Sequence, residues 1–157
     1  MSEAGWRTLL TTRLVVLGAM ALRPMTLGVR GLVVDADNRV LLVRHTYISG
    51  FYLPGGGVEP GETLEQALGR ELAEEGNIEL EAPAELRGIY LNRRISKRDH
   101  VALFVARAFR QSAPRAPDRE IAEAGFFPID ALPESATTAT RARIAEVIGG
   151  APVSPYW

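Results

Sequence analysis

The sequence has 157 residues, a formal net charge of −1 and no cysteine. This length suits a single domain with a hydrophobic core, and the nearly neutral charge gives no reason to expect a nucleic-acid partner. Without cysteine there can be no disulfide, no thiolate zinc site and no cysteine nucleophile, which fits a cytoplasmic protein.

Residues 3–22 are predicted to form a helix that ends before Pro24. The apolar run inside it, 14–22, is far shorter than the ~20 residues that cross a bilayer, so we expect no stable membrane anchor. We expect this helix to pack on the rest of the chain. The alternatives are a helix that lies on a membrane surface and a helix that pairs with a second copy in a homodimer.

The remaining elements mix strands and helices without strict alternation, which predicts an α+β fold with a mixed β-sheet between α-helices. Turn residues at 35–38 predict that the first two strands form a hairpin. We divide the chain into an N-terminal helix (1–25), one domain (26–149) and a C-terminal tail (150–157). In chain order, the predicted elements of the domain are strands at 26–34 and 39–45, a helix at 63–76, strands at 84–93, 100–109 and 120–129, and a helix at 137–149.

The helix at 63–76 carries glutamates on the same side as its leucines. Thr63 followed by Gln66 predicts a capping box at its start. At ~100° per residue, Leu64, Leu68 and Leu72 form a stripe that should face the core. Glu71 and Glu75 fall on that same stripe, with Glu74 to one side.

These glutamates could form a solvated helix face, but their position argues against it. A half-buried carboxylate without a partner is costly, and three carboxylates one turn apart repel one another. Arg70 supplies only one positive charge. A divalent cation supplies two and accepts several oxygen ligands, so a metal site is the better interpretation.

The loop before the helix supports that interpretation. Gly55, Gly56 and Gly57 let the backbone approach a ligand closely. Glu59 and Glu62 oppose the direct binding of an anion, so a phosphate would bind here only through metal ions.

The segment resembles the signature of the Nudix hydrolases, G-x5-E-x7-R-E-U-x-E-E-x-G-U, where U is a bulky aliphatic residue. One specified position departs, because Asn77 stands where the final glycine belongs; asparagine also tolerates the left-handed conformation that ends a helix. The matching residues are Gly56, Glu62, Arg70, Glu71, Leu72, Glu74, Glu75 and Ile78.

The resemblance implies a pyrophosphohydrolase that uses Mg2+ or Mn2+ and cleaves a nucleoside diphosphate linked to another moiety. By motif position it implies Glu71, Glu74 and Glu75 as metal ligands, helped by the Gly55 carbonyl. Arg70 and Glu62 would form a supporting ion pair. The general base would be one of the signature glutamates or a carboxylate of a later loop, for which the candidates are Glu120 and, more weakly, Glu123.

Further candidates are basic residues that could contact substrate phosphates. Arg44 ends the second strand, and Arg93 and Arg94 lie in a basic loop at 92–99; for each, a solvated side chain is the alternative. The sequence lacks the additional signatures of the ADP-ribose, NADH and coenzyme A groups. A modified nucleoside triphosphate, a dinucleoside polyphosphate and a nucleotide sugar remain open as substrates. The rival functions are a catalytically inactive nucleotide-binding or sensor module of the same fold and an unrelated metal-binding structural domain.

Overall fold

The structure is a computed structural model that describes residues 15–20 and 24–157. Residues 15–20 are helical, whereas the rest of the helix predicted at 3–22, and its packing, lie outside the described residues. No helix among the described residues is long and apolar enough to cross a membrane. The elements after it are β1 (Thr26–Val33), β2 (Arg39–His45), α1 (Leu64–Gly76), β3 (Ile78–Leu80), β4 (Glu85–Leu91), β5 (Asp99–Ala106), β6 (Phe109–Gln111), β7 (Ile121–Pro128) and α2 (Thr138–Val147).

The strands pair across long sequence distances. β1 lies parallel to β5, which also pairs antiparallel with β4, so this three-stranded sheet is mixed. β2 pairs antiparallel with β7, and the short strands β3 and β6 pair with each other. The predicted α+β fold with a mixed sheet between helices is therefore confirmed.

The predicted hairpin of the first two strands is wrong. Residues 35–38 do form a tight turn, in which the Asp35 N–H donates to the Arg39 carbonyl and Val34 bridges Val40. Beyond this bridge the strands separate, because β1 pairs with β5 and β2 with β7. Residues 31–33 of β1 and 40–43 of β2 are buried on both faces, a pattern of strands that lie between layers rather than of an exposed hairpin.

Alternating residues of the central strands pack against different helices. On one face, Val29 and Val33 of β1 contact Leu68 and Leu72 of α1. On the other face, Leu32 of β1 belongs to a second core that includes Ile144 of α2. The period of two along each strand thus places the sheet between the two helices.

Helix α1 begins and ends as its sequence predicts. The Thr63 side chain accepts a hydrogen bond from the Gln66 N–H, and the Gln66 side chain accepts one from the Thr63 N–H, which completes the capping box. At the other end, Asn77 adopts the left-handed conformation, with φ 53° and ψ 35°. The asparagine therefore ends the helix in the conformation that the glycine of the signature would take.

The C-terminal tail is docked on β4. The Leu91 N–H donates to the Pro155 carbonyl, and the Trp157 N–H donates to the Leu91 carbonyl. The buried Arg143 of α2 donates to the Tyr156 carbonyl at 2.7 Å. A tail without sequence periodicity is thus held by backbone hydrogen bonds and one buried arginine.

Candidate active site

The glutamates of α1 line one cavity together with residues of the loop before β7. The cavity has a volume of about 290 Å3. Its lining residues are Glu71, Glu74, Glu75, Arg115, Asp118, Glu120 and Ile121. Segments more than forty residues apart in the sequence therefore bring four glutamates and one aspartate to the same opening.

Arg70 holds the beginning of this cluster in place. Its Nε and Nη2 donate to the two carboxylate oxygens of Glu62 at 2.9 and 3.0 Å, and Nη1 donates to Glu71 Oε1 at 2.6 Å. Nη2 also donates to the Gly57 carbonyl. The hydrogen bonds from Arg70 and from the Glu59 N–H together lower the pKa of the Glu62 carboxyl to about 2. The bidentate pair thus fixes the Glu71 side chain through a shared guanidinium.

Glu75 is the most deeply placed carboxyl of the cluster, with 7% of its surface exposed. Burial raises the pKa of Glu75 to about 7, although the hydrogen bond that it accepts from the Gly55 N–H, at 2.8 Å, acts in the opposite direction. The positive charge of Arg30 also opposes this increase, whereas the charges of Glu71 and Glu120 contribute to it. His45 Nε2 lies 3.5 Å from Glu75 Oε1, and burial lowers the pKa of this imidazole. A neutral histidine cannot supply the missing positive charge.

The glycine loop passes between β1 and α1 with no room for a side chain at Gly55 or Gly56. A Cβ on Gly56 would lie 2.4 Å from Glu71 Oε1, and one on Gly55, where φ is 141°, would lie 2.1 Å from the Val29 carbonyl oxygen. The carbonyls of Pro54 and Gly56 accept hydrogen bonds from β1. The Gly55 N–H points the other way and donates to the buried Glu75 side chain at 2.8 Å.

The model of the NUDIX domain matches residues 24–147, which contain every part of this cavity. The chain belongs to the Nudix family. An ADP-ribose pyrophosphatase from Methanocaldococcus jannaschii is 32% identical over 109 residues, and a MutT-like protein from Streptomyces ambofaciens is 40% identical over 67 residues. These matches cover 66% and 43% of the present chain, and only 63% and 43% of the two relatives.

Solved structures of Nudix proteins share the fold of this chain. The crystal structure of a MutT NUDIX hydrolase from Burkholderia pseudomallei superposes with a TM-score of 0.67 at 29% identity, covering 78% of this chain and 97% of that one. A NUDIX hydrolase from Nitrosomonas europaea superposes with a TM-score of 0.65 at 24% identity, covering 80% and 90%. The expected Nudix fold is therefore confirmed.

The oxygen ligands that this Nudix domain offers fit a hard divalent cation, because they are carboxylates with too few positive charges near them. Within residues 15–20 and 24–157, no group of three or more histidine or acidic side chains is already gathered as a metal centre. The contacts explain this: Glu71 is bonded to Arg70, Glu75 to Gly55, and the Glu74 side chain is 61% exposed. A cation would draw together carboxylates that otherwise repel one another.

Of the two candidate bases, the structure brings only Glu120 into the glutamate cavity. Its backbone is fixed, because its N–H donates to Asp118 and its carbonyl accepts from the Thr46 N–H. Glu123 instead accepts hydrogen bonds from Arg44 at 2.9 and 3.3 Å.

The predicted basic residues do not gather at the glutamates. Arg44 pairs with Glu123 and lines a separate cavity. Arg93 stacks on the ring of Tyr156, 3.6 Å from its centroid, and donates to its hydroxyl. Arg94 lines a further cleft that none of the glutamates lines. Their roles in phosphate binding stay predictions.

Sequence reasoning missed two charged residues of the glutamate cavity and several residues of the cleft. Arg115 pairs with Asp118 and donates to the Glu74 carbonyl at 2.7 Å, so it ties the later loop to α1. Both residues belong to a stretch that reads only as a polar loop, and no periodicity signals this contact. The missed residues of the cleft are Arg30, Asn92 and Trp157.

Proposed function

We propose that this protein is a divalent-metal-dependent pyrophosphohydrolase that cleaves a nucleoside diphosphate linked to another moiety. The products would be a nucleotide and a phosphorylated second product. The observation that carries the proposal is the cavity lined by Glu71, Glu74, Glu75 and Glu120, which has too few positive charges for its carboxylates. Membership of the Nudix family and the names of the relatives support the same reaction class.

The proposed cation ligands are Glu71, Glu74 and Glu75, with the Gly55 carbonyl. Bound Mg2+ or Mn2+ would neutralise the pyrophosphate charge and lower the pKa of a water molecule. The protein's own contribution is orientation. Arg70 and Glu62 hold Glu71, and the Gly55 N–H holds Glu75, so that carboxylates otherwise free to turn away are kept at the cavity.

Glu120 is the proposed general base. It would accept a proton from the attacking water while the water oxygen bonds to a phosphorus atom and the bridging P–O bond breaks. The electron pair of that bond leaves with the departing phosphate. Glu120 suits this role because it lines the same cavity as the glutamates of α1. Glu123 does not suit it, because Glu123 forms an ion pair with Arg44.

The reaction can be tested by following product release from a panel of ADP-ribose, nucleotide sugars, nucleoside triphosphates and dinucleoside polyphosphates, with Mg2+, Mn2+ or chelator. Glu75→Gln should lower kcat at least about a thousandfold, because the metal site loses one charge. Glu65→Gln is the matched control: Glu65 is exposed on the same helix and outside the cavity, so its variant should retain full activity. Equal rates for the two variants would refute the site.

A second pair of variants tests the base. Glu120→Gln should reduce kcat by about 100- to 10,000-fold, whereas Glu123→Gln should change it little. If instead no member of the panel is hydrolysed but nucleotides bind, the alternative of a catalytically inactive binding or sensor module is correct. The cytoplasmic location and the homodimer stay predictions.

A further inference from the structure

A second cleft lies beside the glycine loop and is lined by none of the glutamates. It consists of two cavities of about 200 and 230 Å3 that share four lining residues, namely Arg30, Asn92, Ile95 and Trp157. Each alone is smaller than an ordinary small-molecule pocket, and the two volumes together fall within the usual size range. Gly56 and Gly57 line the cleft. Because Gly56 packs directly against Glu71, the cleft begins where the glutamate cluster ends.

The lining of the cleft suits a planar, polar ring. Tyr52 and Trp157 supply aromatic surface, and Asn92 supplies a buried amide whose Nδ2 donates to Asp99 at 2.9 Å. Arg30 donates from Nη1 to the Leu53 carbonyl at 2.9 Å, so in the described part of the chain one of its five guanidinium donors is used. Aromatic faces beside hydrogen-bonding groups are what a nucleobase requires, since every base has a flat π-face and polar edges.

Trp157 comes from outside the segment that matches the family model, which ends at residue 147. Its ring is held from the core side by Tyr90, edge to face at 5.6 Å, and by the Arg143 guanidinium at 5.5 Å. Its backbone is fixed by the hydrogen bond to Leu91. The indole is therefore a preorganised wall of the cleft rather than a loose end.

We propose that the nucleobase of the substrate binds in this cleft and packs on Trp157, which makes the C-terminal tail a determinant of substrate specificity. This inference rests on the proposed function, because it places one part of the substrate cleaved at the glutamates. The phosphates would then extend past Gly56 and Gly57 toward Glu71, and the second moiety would lie beyond the cluster.

The first test needs no hydrolysis. The chain contains two tryptophans, Trp6 and Trp157, so Trp6→Phe leaves Trp157 as the only one. The Trp6→Phe variant would be labelled with 5-fluorotryptophan and kept in the presence of a chelator. Its 19F resonance would be recorded while nucleoside 5′-monophosphates are added. We expect a saturable shift with nucleoside monophosphates and none with ribose 5-phosphate, which lacks the base. An unmoved resonance with every monophosphate would overturn the proposal.

The second test uses kinetics on whichever substrate the panel identifies. Trp157→Ala should raise KM by about 5- to 150-fold, the usual effect of losing one base–aromatic stack, with a smaller effect on kcat. Trp157→Phe should largely restore KM, and Trp157→Leu, which keeps an apolar contact with Tyr90 but has no aromatic face, should not. Val153→Ala, an exposed tail position outside the cleft, is the control for the fold, with thermal melting of every variant. An unchanged KM in a folded Trp157→Ala protein would overturn the proposal.

The two proposals fail separately. A 19F shift without hydrolysis of any substrate would disprove the hydrolase and leave the nucleobase cleft standing. Hydrolysis that depends on Glu75, with a resonance that no nucleotide moves, would keep the hydrolase and remove the cleft assignment.

Discussion

Replacing Glu75 by glutamine should stabilise the metal-free protein while it abolishes activity. The Glu75 carboxyl has a pKa of about 7 in the folded protein, against 4.5 for an ordinary glutamate. The difference corresponds to about 3 kcal/mol by which folding disfavours the ionised form. Glutamine has nearly the same shape and cannot ionise, and its amide oxygen can accept the hydrogen bond from the Gly55 N–H.

The sign of the effect follows from the two pKa values. Below about pH 4.5 the carboxyl is protonated in both states, so the variant and the wild type should be equally stable. As the pH rises from about 4.5 to about 7, the carboxyl ionises in the unfolded chain but stays protonated in the folded one, so the wild type loses free energy of unfolding. At about pH 8 the variant should therefore exceed the wild type by up to about 3 kcal/mol.

The measurement is urea denaturation in the presence of a chelator, at about pH 5 and at about pH 8, with unfolding monitored by circular dichroism. Glu65→Gln, on the exposed face of the same helix, should follow the wild type at both values. Adding Mg2+ or Mn2+ should reverse the order at high pH, because only the wild type offers the full set of carboxylates. A Glu75→Gln protein that is less stable than the wild type in chelator at high pH would show that this carboxyl is not destabilised by burial.

Three further outcomes are expected. Mg2+ or Mn2+ should raise the Tm of the wild type, and a chelator should remove this effect. An equal rise in the Tm of a Glu71→Gln, Glu75→Gln double variant would show that the metal binds elsewhere. Arg70→Met should lower kcat by about 10- to 100-fold. Arg70→Lys should have an intermediate effect, because lysine keeps the charge but lacks the bidentate fork. Wild-type kinetics in both variants would contradict the role of Arg70 in holding Glu71. Arg94→Ala should raise KM more than Arg93→Ala, since Arg94 lines the cleft and Arg93 rests on Tyr156. The reverse order in steady-state kinetics would contradict the placement of the substrate in the cleft.

The parts of the fold that sequence predicts correctly are those fixed by local chemistry. The start of α1 follows from Thr63 and Gln66, three residues apart, and its end from a single asparagine. The burial of Glu71 and Glu75 follows from the position of both residues on the leucine stripe of one helix. Each of these features depends on spacing within a turn or two of helix, which a sequence displays directly.

The parts that sequence misses depend on contacts between distant segments. The turn at 35–38 is local, and its residues predict it correctly. The hairpin prediction is wrong because the strands on either side of the turn pair with strands more than sixty residues away. Strands β3 and β6 have three residues each, too few to show a period. Glu120 was found as a carboxylate near a strand, whereas Asp118 and Arg115 had no pattern to distinguish them from other loop residues.

The buried pair of Arg143 and Glu146 has a consequence for how this sequence can change over generations. Glu146 accepts from Arg143, from the Tyr90 hydroxyl and from the Ser154 N–H, so one carboxylate joins helix, sheet and tail. Loss of Glu146 alone would leave a buried cation without its counter-charge, a cost of about 3–5 kcal/mol, whereas a joint replacement by apolar residues is often neutral.

The effect of a substitution at one of these positions therefore depends on what stands at the other, which is epistasis in its simplest form. Single changes at Arg143 or Glu146 should be eliminated by selection, and paired changes tolerated. Each tolerated pair would still have to hold the backbone of residues 154 and 156. A lineage that changes this pair consequently has the opportunity to reposition its tail, and with it Trp157, without altering any of the glutamates.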